Sequence, residues 1–335
     1  MNVHSVEFLD QVEPETWDDL ATRAGGTYFH CHAHAMFAAT RSDSLPLFIK
    51  VLDEAGGCIG VAAGALSCSR LWPFSRYCKR AEFPSLPAMA GGDAAAEEAA
   101  LGRIEGELRR RGVFHVTTAS YGSPHSAAAL GALGYGLLER SEFYVDLTRG
   151  LEEIWSGFLS ARRRACRRAE DRGAVTRREN TEDAVQRVFE FHEESMTRRG
   201  AQTAARLERF RLAQRQLLES GRADVFVTYL DGAPVSAILC GWFNNWASGL
   251  VAGSSEAGYK CFAPVQQVWT QIQWYKSQGI RTLSLGGARA DETGLFRFKS
   301  QFGSTVVAQP AGSRVISSFG ARLDRLRTLL RKVRP

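Results

Sequence analysis

No stretch of this sequence approaches the ~20 consecutive apolar residues that a membrane-spanning helix requires. The longest apolar-rich run, "CIGVAAGALSC", is about half that length. The first residues, "MNVHSVEFLDQVEPE", are acidic and lack a basic region followed by an apolar stretch, so no secretory signal is visible and a cytoplasmic protein is expected. The seven cysteines (31, 58, 68, 78, 166, 240 and 261) are scattered and include no Cys-x-x-Cys pair. They read as reduced thiols, mostly in the core, and argue against a zinc site. One local cluster points the other way: "FHCHAHAMF" brings His30, Cys31, His32 and His34 together. Without a second group at zinc-like spacing the cluster predicts no metal; contact of one histidine with substrate is the stronger expectation.

What is present is apolar bulk and arginine. With 335 residues, 44% of them hydrophobic, the chain can fill two cores of about 150 residues each. The net charge is +6, and its excess is uneven: "SARRRACRRAEDRGAVTRRE" holds eight arginines in twenty residues, and "GARLDRLRTLLRKVRP" five more with one lysine. Such runs are either solvated helix faces or attractors of phosphate, in nucleic acid or in nucleotide-linked substrates.

Periodicity predicts a helix at "GTYFHCHAHAMFAATR", two strands around the Gly56-Gly57 turn with a third after them, and an amphipathic helix at "AAAEEAALGRIEGELRRRG" before the strand "VFHVTTASY". A short helix at "SPHSAAALGALGYGLLER" and the strand "SEFYVDLTRG" close a first unit near residue 148. The order then restarts. "LEEIWSGFLSARRRACRRAEDRG" reads as one helix, "AVTRREN" as a strand, and two helices follow, the first capped by Thr181. Three strands run through "ADVFVTYLDGAPVSAILCGWFNNWASGLVAGS", then the helix "APVQQVWTQIQWYKSQG", the strand "IRTLSLGG", the stretch "GLFRFKSQFG" and a last strand "TVVAQPA". The expected fold is a duplicated α+β architecture.

The segments "DGAPVSAILCGW", "APVQQVWTQIQWYKSQGIRTLSLGGA" and "GLFRFKSQFGSTVV" resemble the second half of the Fem family of aminoacyltransferases. That resemblance implies two tandem acyltransferase (GNAT)-like domains, each a mixed sheet flanked by helices. The first would cover 1–148 plus 312–335, because the final arginine-rich helix folds back, and the second 149–311. It further implies amide formation between an amino acid carried by aminoacyl-tRNA and an amine acceptor, with no cofactor. Two features depart from the pattern of cell-wall members: no Asp-Pro near "VTTASYGSP", and "RLERFRLAQRQLLESG" too short for a long helical-hairpin arm. Both leave room for a soluble natural-product acceptor beside a peptidoglycan precursor.

Aminolysis of an ester needs an unprotonated amine, close approach to the carbonyl, and a cation or donor where the oxyanion develops. Lys299 in "FRFKSQF" is the candidate cation, walled by rings whether the stretch is extended or helical. The competing reading makes the phenylalanines ordinary core and pairs Lys299 with a carboxylate such as Glu292. The resemblance assigns Phe298 and Lys299 to the reacting centre, with Arg297 and Phe302 beside them as substrate-binding candidates; Gly286 and Gly287 read either as a place where backbone approaches substrate or as a plain loop. Arg199, Tyr259 and Trp242 are acceptor-side candidates, and Arg162, Arg163, Arg164, Arg167 and Arg168 candidates for tRNA phosphates. Acyl-CoA is the alternative donor, although "GSSEAGYKCFAPVQQVW" lacks the glycine spacing of a pyrophosphate-binding loop. A third reading is a non-catalytic RNA-binding scaffold.

Overall fold

The computed structural model describes residues 2–69, 72, 74–92, 94–123, 125–198 and 207–333. The chain divides into two units, residues 1–140 with 309–335, and residues 141–308.

The first unit runs β1 (Ser5–Leu9), α1 (Pro14–Arg23), a 3-10 turn (Tyr28–His30), α2 (His32–Ser42), β2 (Leu45–Leu52), β3 (Cys58–Ser67), α3 (Phe74–Tyr77), β4 (Lys79–Phe83), β5 (Ala88–Met89), α4 (Ala94–Arg110), β6 (Val113–Thr118), α5 (Ser126–Ala132) and β7 (Gly136–Leu138). The second runs β8 (Arg140–Asp146), α6 (Leu151–Gly157), α7 (Ser160–Asp171), β9 (Val175–Arg178), α8 (Glu182–Arg198), α9 (Leu207–Glu219), β10 (Ala223–Leu230), β11 (Ala233–Phe243), β12 (Trp246–Ser254), α10 (Glu256–Lys260), α11 (Ala263–Ser277), β13 (Thr282–Arg289), α12 (Thr293–Ser300) and β14 (Thr305–Ala308). The chain then returns to the first unit with β15 (Ala311–Val315) and α13 (Ser318–Val333).

The two sheets repeat one plan. The first has the order β1-β2-β3-β4-β6-β15-β7, with β5 attached to β3, and the second, read from its other edge, β9-β10-β11-β12-β13-β8-β14. In both, three antiparallel pairings lead to one parallel pair, β4 with β6 and β12 with β13. The sixth position is filled in each case by a strand distant in sequence: β15 in the first sheet and β8 in the second.

This exchange explains where the expected boundaries differ. "SEFYVDLTRG" reads as the end of the first unit, but β8 pairs with β14 over Ser141–Tyr144 and so belongs to the second sheet. β15, absent from the sequence reading, pairs with β6 and β7. Its residues, "AGSRV", are too short and too polar on one face to announce a strand.

The helix expected over residues 151–173 is broken at Phe158 and Leu159, both of which are extended. The break lets Phe158 turn inward, where it is buried against Trp269 and Phe302. Arg163 Nη1 donates to Ser156 O (2.7 Å) and Phe158 O (2.5 Å), satisfying carbonyls that α6 leaves open at its end. The second core gathers around these rings with Phe226, Ile272, Tyr275 and Leu283; the first is built from Ile49, Phe83, Leu101, Ile104 and Val116.

Candidate active site

The two parallel pairs differ in one respect that places the site. In the first unit, β4 and β6 stay paired from Lys79↔Val113 to Phe83↔Thr118. The pairing continues past the strands, with Ala119 N–H donating to Phe83 O (3.0 Å) and Tyr121 N–H to Pro84 O (2.8 Å). Ser85 and Ser123 then seal that end, their hydroxyls 2.8 Å apart and both buried. In the second unit, β12 and β13 pair only at Trp246↔Thr282, Ala247↔Leu283 and Ser248↔Ser284, although β12 continues to Ser254 and β13 to Arg289. Beyond Ser248 and Ser284 the two strands part and leave a fork.

The register is interrupted at the fork. A bulge in the β11–β12 ladder takes Cys240↔Gly249 to Leu239↔Val251, so Leu250 has no register partner on β11, and the ladder with β13 has already ended. On the other prong, Gly286 turns with φ +77°, and its N–H donates to Ser284 Oγ (3.1 Å). A side chain at Gly286 would be strained at that φ, and its Cβ would stand 3.2 Å from Lys299 Nζ and 3.5 Å from Gly249 O.

Lys299 therefore reaches the fork. It lies on α12, and its ammonium donates to Gly287 O at 2.8 Å. "FRFKSQFG" is helical up to Ser300 and then locked in place. Ser304 Oγ donates to Lys299 O (3.0 Å), Leu159 N–H donates to Gln301 O (3.0 Å), and Phe302 is fully buried. Gly303, with φ +63°, lets the chain pass Gly157, whose oxygen would be 2.8 Å from any Cβ there. Glu292 accepts from Arg289 N–H (2.9 Å) and lies 4.0 Å from Arg289 Nε, an engagement with Arg289 that the pairing with Lys299 did not foresee.

The other predicted residues separate into three groups. Gly287 belongs to the fork. Phe298 packs edge-on against Phe302 (5.1 Å between centroids), and Phe302 against Phe158 (5.2 Å). Phe302, 0% exposed, is thus a core residue that holds the wall behind Lys299 and makes no surface for substrate. Arg162 lies with its guanidinium 4.8 Å from the Phe298 ring, and its pKa is lowered by burial and by the neighbouring charge of Arg297, which is itself exposed. The arginine run is accordingly split: Arg162 and Arg163 are engaged in the fold, whereas Arg164, Arg167 and Arg168 are exposed.

Tyr259, half exposed on α10, stands just after β12, beyond the point where β12 has left β13. The Arg198 guanidinium is 4.9 Å from its ring, held by Ser254 O (2.5 Å) and Ser195 Oγ (3.1 Å) and paired with Glu194 (3.4 Å). Arg199 lies outside the described residues. Trp242 is not brought to the fork: it is opposite Ala247, toward the hairpin where β12 begins, with Arg222 over its ring. The position of Trp246 is similar, packed edge-on against Tyr144.

The histidine cluster is structural. His30 accepts from Thr27 N–H (3.1 Å) and its Nε2 is 2.8 Å from Leu86 O. His34 is buried among Tyr28, Phe29 and Phe37, and burial, then Arg41 and His30, lowers its pKa to about 3. His32 stacks on Phe48.

The overall fold is shared with solved structures. The chain has a tandem acetyltransferase (GNAT) fold. Residues 158–300 match the acetyltransferase (GNAT) domain family. The crystal structure of FemX is similar with a TM-score of 0.72 at 14% identity, over 96% of this chain and 99% of that one. A tandem GNAT protein from the clavulanic acid biosynthesis pathway, described without AcCoA, has a TM-score of 0.54 at 14% identity, over 93% and 99%. L-PGS from Bacillus licheniformis has 0.52 at 13% identity, over 96% and 97%. No curated protein matches the sequence significantly. Among the described residues no three His, Cys, Asp or Glu side chains are grouped to hold a metal, and no helix is long and apolar enough to cross a membrane.

Proposed function

We propose that the chain is an acyltransferase that moves an amino acid from aminoacyl-tRNA to an amine acceptor, at the β12–β13 fork. The observation that carries this reading is the Lys299 ammonium, held by Gly287 O inside the fork. The acceptor nitrogen attacks the ester carbon, the new C–N bond forms as the C–O bond to the ribose breaks, and the amine proton ends on the departing oxygen. Lys299 stands where the carbonyl oxygen becomes negative, and the backbone N–H at the Leu250 bulge is the natural second donor. Arg297, exposed beside Arg162, supplies positive charge next to the reacting centre for the terminal phosphates of the donor. Tyr259 and Arg198, at the open end of β12, are suited to receive the acceptor.

The acyl-CoA reading is favoured by the family match and by the clavulanic acid pathway protein. The connection between β12 and α11 speaks against it. A pyrophosphate cradle needs several free amides at a helix start. Here Gly258 N–H is bonded to Ser255 Oγ, Tyr259 N–H to Ser255 O, Cys261 N–H to Ala257 O and Phe262 N–H to Tyr259 O, and Pro264 has none to give. Glu256 adds an acidic group at the same place.

Binding of charged tRNA should weaken steeply with salt, and Arg164→Gln, Arg167→Gln and Arg168→Gln should each reduce the slope of log affinity against log salt by about one. Arg162→Gln, by contrast, should act on stability, because its guanidinium covers a ring. A salt-independent affinity, or slopes unchanged in all three exposed-arginine variants, would remove tRNA from this face.

A further inference from the structure

We infer that α13 docks the protein on an anionic lipid surface. One face of this helix is committed to the first unit: Ala321 and Leu323 pack on Phe74, Cys78 and Phe114, and Asp324 pairs with Arg80 and Arg327 (2.5 Å each). The apolar character does not stop at that contact. Phe319, Leu326 and Leu329 are 57, 49 and 61% exposed, and at 100° per residue they fall within one arc beside the partly buried Leu323. Trp72, two residues before α3, is 80% exposed, and α3 packs on α13 with Tyr77 edge-on to Phe319. Arg322 projects from within this arc and Arg325 from its edge; both are exposed and in no ion pair among the described residues.

A helix with large uncovered apolar side chains on one side and arginines within and beside them lies in a lipid interface, rings and leucines in the acyl boundary and guanidinium groups on the headgroup phosphates. An RNA surface would use the arginines but would gain nothing from Leu326 and Leu329, which offer neither a stacking plane nor a hydrogen bond. A second copy meeting this face about a two-fold axis would set the same arginines against each other. The inference is independent of the transfer reaction: it concerns a different face of a different unit.

The test is flotation of the full chain with vesicles of phosphatidylglycerol and phosphatidylcholine in equal parts, against vesicles of phosphatidylcholine alone. Binding is expected on the anionic vesicles and only weakly on the neutral ones. Arg322→Gln and Arg325→Gln should each weaken it roughly fivefold. Leu326→Ser with Leu329→Ser should abolish it while circular dichroism and the unfolding midpoint stay near those of the unmodified chain, since both side chains are exposed. Failure to float at low salt overturns the inference. So does loss of tRNA binding, or of a dimer in light scattering, as the effect of the leucine substitutions in place of lipid release.

Discussion

Lys299→Ala is expected to lower the rate of aminoacyl transfer by roughly 10²–10³-fold, with unfolding behaviour and donor affinity close to those of the unmodified protein. The size follows from where the charge sits. An ammonium held by a backbone carbonyl in a partly dry fork acts on a developing oxyanion at a lower effective dielectric than water, and it needs no reorganisation when the oxyanion forms. The small effect on stability follows from the same geometry: α12 is fixed by Ser304, Gln301 and Phe302 rather than by the lysine head. Lys299→Arg should not restore the rate. The guanidinium is a planar fork of donors, whereas the space beside Gly286 admits a compact ammonium 3.2 Å from a hypothetical Cβ. Single-turnover transfer with saturating donor measures the effect directly; an unchanged rate would take Lys299 out of the reaction.

The second large effect is on stability. Phe302→Ala should destabilise the second unit by about 3–5 kcal/mol, because the ring is fully buried between Phe158 and Phe298 and its removal leaves a cavity lined by aromatic side chains that cannot collapse. Phe302→Leu, which keeps more of the volume, should cost less. Denaturant unfolding gives the shift in midpoint. A normal midpoint with a raised KM would instead mean that the ring meets substrate, as its place in the "FKSQFG" stretch suggested. Phe298, half-buried at the surface end of the same row of rings, is expected to lie between these limits, affecting both stability and rate.

Much of this arrangement was legible in the sequence, and the omissions have physical causes. The strands β10 to β12 announce themselves by β-branched and aromatic runs with Asp231-Gly232 between the first two, and α4, α8 and α11 by their apolar period. Lys299 is a candidate by the resemblance of its aromatic-basic stretch, which follows a Gly-Gly strand end; that the stretch is helical, and that the ammonium meets Gly287 O, depends on contacts with Leu159 and Ser304 that no local pattern encodes. The arginine run read as one charged face, but Arg162 is covered by Phe298 packing and Arg163 caps a helix, because Phe158 breaks the helix to reach the core. The fork itself has no sequence signature. It arises from the register at which β12 and β13 stop pairing and from the bulge near Leu250, and both are set by tertiary packing. The same is true of the strand exchange, which moved β8 to the second sheet and brought β15 to the first. Ser284 and Arg198, which fix Gly286 and the end of β12, escaped notice for that reason.

The donor decides the central question. The full chain is given a pool of charged tRNA with an amine acceptor, and in a parallel reaction acyl-CoA with the same acceptor, each with and without prior RNase treatment. Amide product from the tRNA reaction alone, lost after RNase treatment and lost with Lys299→Ala, is the expected result. Product from acyl-CoA that survives RNase would contradict it, and would mean that the closed connection between β12 and α11 opens to hold a pyrophosphate.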